Sequence, residues 1–295
     1  MKAYVTGASG FIGSHVARLL EEDGWEVRDD FVDVGDLGEL RRSMDGCDAV
    51  FHLAALYAFR GDPKEFERIN VQGTKNVLDA ARAAGVRRIV HTSTCATCGP
   101  VAGRPATEAD EPPAWELTVP YKATKLAAER LAVEATQDGM DVVIVNPTTP
   151  IGEGDHVPTP TGRMVRGVAT GRFRAYLAGT GVNLVDVHDV ARGHLLAWER
   201  GRRGERYLLG GEDKTLGEVF ALIARAADRK PPRLRVPYAA ARVVAAAGLL
   251  NKHEIALARV PMWFSSEKAT SELGYEHGPV EEAVQRAVDD VLARR

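Results

Sequence analysis

Two side chains near the middle of the sequence have the chemistry and spacing of a proton-transfer pair. Tyr121 and Lys125 lie four residues apart in a segment with helical character, so both project from one face. A phenol has a pKa of about 10, and a nearby lysine ammonium is expected to lower that pKa. Ser93 and Thr94 follow an apolar run, where a hydroxyl can hydrogen-bond a substrate oxygen beside Tyr121. This set suits hydride transfer at an alcohol or carbonyl carbon, with Tyr121 moving the proton.

A glycine-rich turn near the start of the chain has the spacing of a dinucleotide-binding loop. Gly7, Gly10 and Gly13 stand between an apolar run at residues 3–5 and a helical stretch. Gly7 suits a tight turn, Gly10 leaves room for a pyrophosphate, and Gly13 allows close helix packing. The N-terminus of the helix then offers free N–H groups to phosphates. The turn predicts dinucleotide binding.

Alternating elements predict the fold that holds these residues. Strand-like runs recur at residues 49–53, 88–92 and 142–145, with helical stretches at 71–84 and 122–135 between them. The pattern is typical of an α/β protein with a Rossmann-type, doubly wound parallel sheet. Ligands bind such sheets at the carboxyl ends of the strands.

The later part of the chain changes in composition and predicts a second domain. Prolines and glycines interleave after Pro147, which indicates irregular chain covering a ligand. The run at 183–187 predicts a return to the parallel sheet, followed by a covering helix. Further helices are expected at 216–227 and 237–250. We therefore expect a dinucleotide-binding domain from residues 1–150 and 183–211, and a smaller, interleaved C-terminal substrate domain from 151–182 and 212–295.

Composition excludes several other classes of protein. The net charge of -3 provides no basic field for nucleic acid. The longest apolar stretch, at 239–250, is shorter than the roughly 20 residues of a membrane span. The first strand begins at the initiator methionine, which predicts a cytoplasmic location. Cys47, Cys95 and Cys98 are too few for the roughly four ligands of a structural zinc, so no metal is expected.

One stretch is shorter than the predicted fold requires. A second strand should continue after Val27 and present a side chain to the adenosine ribose about 20 residues beyond the glycines. Instead, residues 28–37 join the start of one strand directly to the next. Either the protein has lost a loop here, or disordered residues of the protein are absent from this sequence. Asp29 and Asp30 point to NAD by their charge and Arg28 points to NADP, so both dinucleotides remain open.

Several motifs together resemble the extended short-chain dehydrogenase/reductases of the NAD-dependent epimerase/dehydratase type. They run in order over nearly the whole chain. Three parts of the later sequence, at 145–152, 158–163 and 183–187, most resemble the hopanoid-associated sugar epimerase group, with dihydroflavonol-reductase-like proteins next. The motifs are the glycine turn, residues 35–37, 51–55, 70–74 and 92–94, Tyr121 with Lys125, and Asn146-Pro147.

The resemblance implies a role for each matched residue. Thr94 would be the catalytic hydroxyl, Tyr121 the acid or base, and Lys125 its partner and a ligand of the cofactor ribose. The other residues that would contact the dinucleotide are Phe11 and Ile12 at the pyrophosphate, Asp36 and Leu37 around adenine, Leu53, Ala54 and Ala55 along its inner face, Ser93 through its backbone, and Pro147 and Thr148 beside the nicotinamide.

The resemblance also implies a reaction class, with two alternatives. The first reading is an NAD- or NADP-dependent sugar epimerase or dehydratase that acts on a nucleotide-sugar or a related alcohol through transient hydride transfer. The second is an NADPH-dependent carbonyl reductase of a hydrophobic ketone, and the third is a non-catalytic dinucleotide sensor. A homodimer is expected from the same resemblance.

Overall fold

Eleven strands were found in the part of the chain that the computed structural model describes, which comprises residues 1–58, 61–248 and 252–294. They are β1 (Lys2–Thr6), β2 (Glu26–Arg28), β3 (Ala49–His52), β4 (Arg88–Thr92), β5 (Val142–Pro147), β6 (Thr149–Ile151), β7 (Ala175–Leu177), β8 (Gly181–Asp186), β9 (Arg206–Leu209), β10 (Glu212–Thr215) and β11 (Leu234–Val236).

Helices alternate with these strands. The helix expected at 237–250 is present from Tyr238 to Ala246, and its last two expected residues, Leu249 and Leu250, lie outside the described residues. A π-helical turn, Glu67–Gln72, joins the helix Pro63–Phe66 to the helix Gly73–Ala83. The helices are α1 (Phe11–Glu22), α2 (Leu37–Met44), α3 (Pro63–Phe66), α4 (Gly73–Ala83), α5 (Pro120–Gln137), α6 (Pro160–Ala169), α7 (Val187–Arg200), α8 (Leu216–Ala226), α9 (Tyr238–Ala246), α10 (Lys252–Leu257), α11 (Glu267–Leu273) and α12 (Val280–Ala293).

A six-stranded parallel sheet forms the centre of the fold, in the order β2-β1-β3-β4-β5-β9. The central strands β1, β3, β4 and β5 are buried along most of their length because both faces of the sheet are covered. One face packs against α1 and α7, and the other packs against α2, α4 and α5. The α/β class and the doubly wound parallel sheet predicted from the sequence are confirmed.

The shortened segment ends the sheet early on one side. The strand β2 has three residues and lies at the sheet edge, and residues 29–34 have no regular secondary structure. Asp36 then caps α2, accepting a hydrogen bond from the Glu39 N–H at 2.9 Å. The residues after β2, where the sequence indicated the start of another strand, therefore do not form one.

Two small sheets form the rest of the molecule. β8 pairs with β6 in parallel and with β10 in antiparallel, and β7 pairs with β11. The expected return of residues 183–187 to the parallel sheet is wrong: residues up to Asp186 belong to β8, because β6 and β10 offer it partners on both sides. The parallel sheet gains β9 instead. The division into two domains remains a prediction.

An apolar cluster holds the small sheets to their helices. Its residues come from β6, α6, β8, α8 and α12, and they include Ile151, Val165, Leu184, Val219, Ile223, Val280 and Val284. Among the described residues, no helix is long and apolar enough to cross a membrane.

Candidate active site

The glycine turn connects the end of β1 to α1, and steric contacts fix two of its three glycines. Gly7 has a φ of +72°, and a Cβ there would lie 2.7 Å from the Ala54 nitrogen. A Cβ on Gly13 would lie 2.1 Å from the Gly7 carbonyl oxygen. Neither position accepts a side chain without movement of the backbone.

Gly10 differs: among the described residues other than its chain neighbours, a Cβ added there would lie within 4 Å of the Gly7 oxygen alone, at 3.1 Å. It precedes α1, and it makes no side-chain cap. The first N–H groups of a helix have no intrahelical acceptor, so those of Phe11 and Ile12 are available to a phosphate. The open space at Gly10 and these N–H groups fit a dinucleotide pyrophosphate.

A cavity of about 210 Å³ brings the glycine turn and the proton-transfer residues together. It lies at the carboxyl end of the parallel sheet, between β1, β4, β5 and α5. The predicted residues that line it are Gly7, Gly10, Phe11, Ile12, Gly13, Leu53, Ala55, Ser93, Thr94, Tyr121, Lys125, Pro147 and Thr148. The Ser93 hydroxyl, which is buried, has no hydrogen-bond partner among the described residues and is available to a ligand.

Three residues expected at the dinucleotide do not line this cavity. Asp36 caps α2, Leu37 packs against the cluster under α2 and α4, and Ala54 lies beneath Gly7. Asp36 and Leu37 belong to the adenine side, which adjoins the shortened segment.

Thr94 and Tyr121 lie next to each other in the wall of the cavity. Thr94 follows β4 and begins a 3-10 turn, Cys95–Thr97, accepting a hydrogen bond from the Ala96 N–H at 3.3 Å. Burial raises the pKa of Tyr121 well above its usual value, while a hydrogen bond with Thr94 lowers it. The expected lowering of this pKa by Lys125 is not found, because desolvation of the phenolate dominates.

Lys125 is buried one turn further along α5, and its Nζ donates to the Thr92 carbonyl oxygen at 2.7 Å. Burial lowers the pKa of Lys125 to about 8, and the charge of Glu129 opposes this shift. The ammonium is therefore close to its titration point near neutral pH.

A second cavity, of about 200 Å³, opens from the far side of Thr94 and Tyr121. Most of its wall is apolar, and it comes from segments far apart in the sequence: Ala96, Pro160, Met164, Val182, Leu216, Leu257, Ala258 and Met262. Lys122 also lines it, but its ammonium pairs with the buried Glu116 carboxylate. The sequence indicated that the chain after Pro147 covers a ligand, and Pro160 lies in that stretch. No local pattern marked the other apolar residues of this wall.

A hydrogen-bonded cluster lies beside α1, the helix that follows the glycine turn. It concerns the prediction that the protein binds no metal. His15, Glu153 and His188 place their possible ligand atoms within 4.8 Å of one another. The guanidinium of Arg18 lies 3.1 Å from His15 Nδ1, and that of Arg286 donates to Glu153 at 3.0 Å. Two guanidinium groups at the cluster disfavour a divalent cation there.

The chain is similar in sequence and fold to known proteins. The family model described as the NAD dependent epimerase/dehydratase family matches residues 3–210. A dihydroflavonol 4-reductase-like protein of Synechocystis sp. is 37% identical over 320 residues, covering 97% of this chain and 93% of that protein. This aligned length exceeds the 295 residues of the chain, so the relative has residues without a counterpart here.

Two further similar proteins are named for different substrates. The 4-hydroxy-2-methyl-3-oxo-4-farnesyl-3,4-dihydroquinoline-1-oxide ketoreductase of Stigmatella aurantiaca is 33% identical, covering 93% of this chain and 92% of that protein. The UDP-glucose 4-epimerase of Thermus thermophilus, solved in complex with NAD, is 25% identical with a TM-score of 0.82, covering 100% of both chains. This chain belongs to the NAD dependent epimerase/dehydratase family, whose enzymes use NAD or NADP for oxidoreductase-type chemistry.

Proposed function

We propose that Thr94, Tyr121 and Lys125 carry the reaction, at a substrate carbon that lies between the two cavities. The observation that carries this proposal is that all three side chains line the same cavity as Gly7, Gly10 and Gly13. The bound dinucleotide supplies or accepts a hydride. Thr94 and Tyr121 hold the substrate oxygen, and Lys125 binds the cofactor ribose.

In the reducing direction, Tyr121 gives its proton to the substrate oxygen as the carbonyl carbon gains the hydride. The C=O bond becomes a C–OH group, and the Tyr121 phenolate recovers a proton from solvent. In the oxidising direction Tyr121 accepts the hydroxyl proton. Burial raises the pKa of Tyr121, so the protonated phenol that reduction needs is the prevailing form near neutral pH.

For the substrate we propose first a nucleotide-sugar or a related alcohol, processed by an epimerase or a dehydratase. The family and the UDP-glucose 4-epimerase of similar fold support this class. An epimerase would leave the dinucleotide unchanged overall, because inversion of one carbon involves no net oxidation or reduction of the substrate.

A specific observation favours a second candidate, which is reduction of a hydrophobic ketone. The wall of the substrate cavity is mainly apolar, and its single lysine, Lys122, is already paired with Glu116. A diphosphate needs cationic or N–H partners, whereas an apolar ketone gains from burial. The relatives from Synechocystis and Stigmatella support this candidate by their names.

Cofactor stoichiometry separates the two candidates. The purified protein is incubated with UDP-glucose, UDP-glucuronic acid and a series of alkyl and aromatic ketones, with NAD+, NADH, NADP+ or NADPH. A reductase consumes one reduced dinucleotide per product, whereas an epimerase or dehydratase leaves the dinucleotide absorbance unchanged while the product changes. Product masses and sugar stereochemistry identify the outcome.

The Tyr121→Phe variant tests the residue assignment and the non-catalytic alternative. We expect turnover to fall by about 10²- to 10⁴-fold, the usual contribution of a general acid, with dinucleotide affinity unchanged. Tyr176→Phe, which removes a hydroxyl bonded to Arg235 outside both cavities, is the matched control. Full activity of Tyr121→Phe would refute the catalytic role of Tyr121, and a wild-type protein that binds the dinucleotide without any turnover would favour the sensor.

We also propose a homodimer, a cytoplasmic location and the two-domain division given above. The first rests on the resemblance, and sedimentation of the purified protein tests it.

A further inference from the structure

A buried carboxylate lies behind the loop that carries Thr94. Glu129 is only 3% exposed, and it follows Tyr121 and Lys125 on α5 at the same spacing of four residues. The three side chains therefore lie along one face of the helix. An ionised carboxylate at this depth is costly unless its oxygens are fully hydrogen-bonded.

Both oxygens of Glu129 have strong partners. Oε2 accepts hydrogen bonds from Thr97 Oγ1 and from Asn146 Nδ2, each at 2.7 Å. Oε1 accepts from Arg206 Nη1 at 2.9 Å, and this guanidinium comes from β9. The carboxylate thus joins α5 to the 3-10 turn, to the end of β5 and to the edge of the sheet.

The same two donors also hold the main chain of Thr94. Its carbonyl oxygen lies 2.8 Å from Thr97 Oγ1 and 3.1 Å from Asn146 Nδ2. The Thr97 hydroxyl and the Asn146 amide supply three hydrogens in all. Three acceptors face these hydrogens: Glu129 Oε2, the Thr94 carbonyl oxygen and Thr97 Oγ1. The last of these lies 2.9 Å from Asn146 Nδ2. A glutamine amide in place of the Glu129 carboxylate has one oxygen instead of two. If that oxygen faces Thr97 and Asn146, the amide N–H groups face the Arg206 guanidinium; if it faces Arg206, they face the other two donors.

Glu129 also acts on Lys125, one turn before it. Burial lowers the pKa of Lys125, and the charge of Glu129 raises it. The other titratable groups near Lys125 are Tyr121, on the same helix, and His52 and His91, on β3 and β4. The pKa of His52 is about 3 and that of His91 is well below its usual value, since both rings are buried near the ammonium. Both histidines are therefore neutral at assay pH.

We propose that Glu129 is a positioning residue for the reaction: through Thr97 and Asn146 it fixes the loop that presents Thr94, and it places a negative charge one helical turn from Lys125. This inference rests on the proposed roles of Thr94, Tyr121 and Lys125. It predicts two effects with separate causes, one on the loop and one on the pH dependence.

The loop effect is measured by hydrogen exchange of the backbone amides of residues 95–98, without substrate. Glu129→Gln is expected to speed this exchange by at least about tenfold. A decrease of about 1.4 kcal/mol in the free energy of local opening raises the exchange rate tenfold. Glu129→Asp keeps the charge and is expected to restore part of the protection. Glu134→Gln, on the exposed side of the same helix, is the matched control.

The charge effect is measured as the pH profile of kcat/KM with the substrate that the wild-type protein turns over in the screen above. Glu129→Gln is expected to lower kcat by about 10- to 100-fold through misplacement of Thr94. It is also expected to move the alkaline limb to lower pH by about one unit, because Lys125 loses a neighbouring anion. Thr97→Val keeps the charge, so it should lower kcat without moving the limb.

These outcomes separate this inference from the proposed function. If Tyr121→Phe is inactive but Glu129→Gln is folded and matches the wild type in exchange, kcat and pH profile, the role of Glu129 is refuted. If Glu129→Gln does not fold, Thr97→Val decides: unchanged exchange and unchanged kcat refute the loop effect. If Tyr121→Phe remains active, the proposed function fails, while the exchange result still tests the contact between Glu129 and the loop.

Discussion

The dinucleotide side and the substrate side of the site are built in different ways. On the dinucleotide side, backbone contacts fix the structure: Gly7 and Gly13 each approach main-chain atoms more closely than a Cβ allows. On the substrate side, side chains from segments between Ala96 and Met262 form a mainly apolar wall. Substitutions on the first side should therefore affect folding or cofactor binding, whereas those on the second should change substrate preference alone.

Among the tests of this comparison, the largest effect is expected at the glycine turn. Gly10→Val places a branched side chain where the pyrophosphate is expected, while only the Gly7 oxygen lies near its Cβ. The variant should fold and lose at least about 3 kcal/mol of dinucleotide binding, which is about 100-fold in affinity. Isothermal titration calorimetry measures the loss, and Ser14→Ala on the same helix is the control.

Gly13→Ala completes this test. Its Cβ would lie 2.1 Å from the Gly7 oxygen, so we expect a lower melting temperature rather than a folded protein with weak binding. A folded Gly10→Val variant with unaltered affinity would contradict the phosphate role of the turn. A Gly13→Ala variant as stable as the wild type would contradict the steric argument.

The different construction of the two sides explains what the sequence could predict. The turn from Gly7 to Gly13, Thr94, and the pair Tyr121 and Lys125 are short local patterns on strand ends and helices, and the structure brings them into one cavity. The substrate wall has no local pattern, since Met164, Leu257 and Met262 are ordinary apolar residues until the fold joins them. The role of residues 183–187 was misjudged because an apolar run does not reveal which sheet it joins.

The next largest effect is expected on the substrate wall. Met262→Glu introduces a charge into an apolar cavity and should lower kcat/KM for a hydrophobic ketone by about 10- to 100-fold. Dinucleotide affinity should stay the same, because Met262 does not line the dinucleotide cavity. Met262→Leu, which conserves volume, is the control. Equal losses of both functions would mean that the two sides are not separable.

The pH dependence of the reaction should report Lys125, which serves both sides. Its pKa is lowered to about 8 by burial, so the ammonium is present below that pH and is lost as the pH rises through it. We expect kcat/KM to fall about tenfold per pH unit above this point. Lys125→Arg keeps the positive charge at this position at all these pH values. Its kcat/KM should be lower than that of the wild type but should not show this alkaline decrease. A limb that persists in Lys125→Arg would assign the titration to another group.

The smallest effect is expected at the adenosine ribose, where the shortened segment leaves the choice of dinucleotide to a few residues. Arg28 Nη1 donates to the carbonyl oxygens of Ser43 and Asp45, at 3.1 and 3.0 Å, so its guanidinium is already engaged at the end of α2. Asp29 is exposed at the end of β2. A carboxylate there repels a 2′-phosphate, and one exposed charge contributes up to about 1 kcal/mol, or about fivefold in affinity. Calorimetry should therefore show NAD+ binding more tightly than NADP+, with Asp29→Asn narrowing the difference. Tighter binding of NADP+ would mean that Arg28 leaves α2 to meet the phosphate.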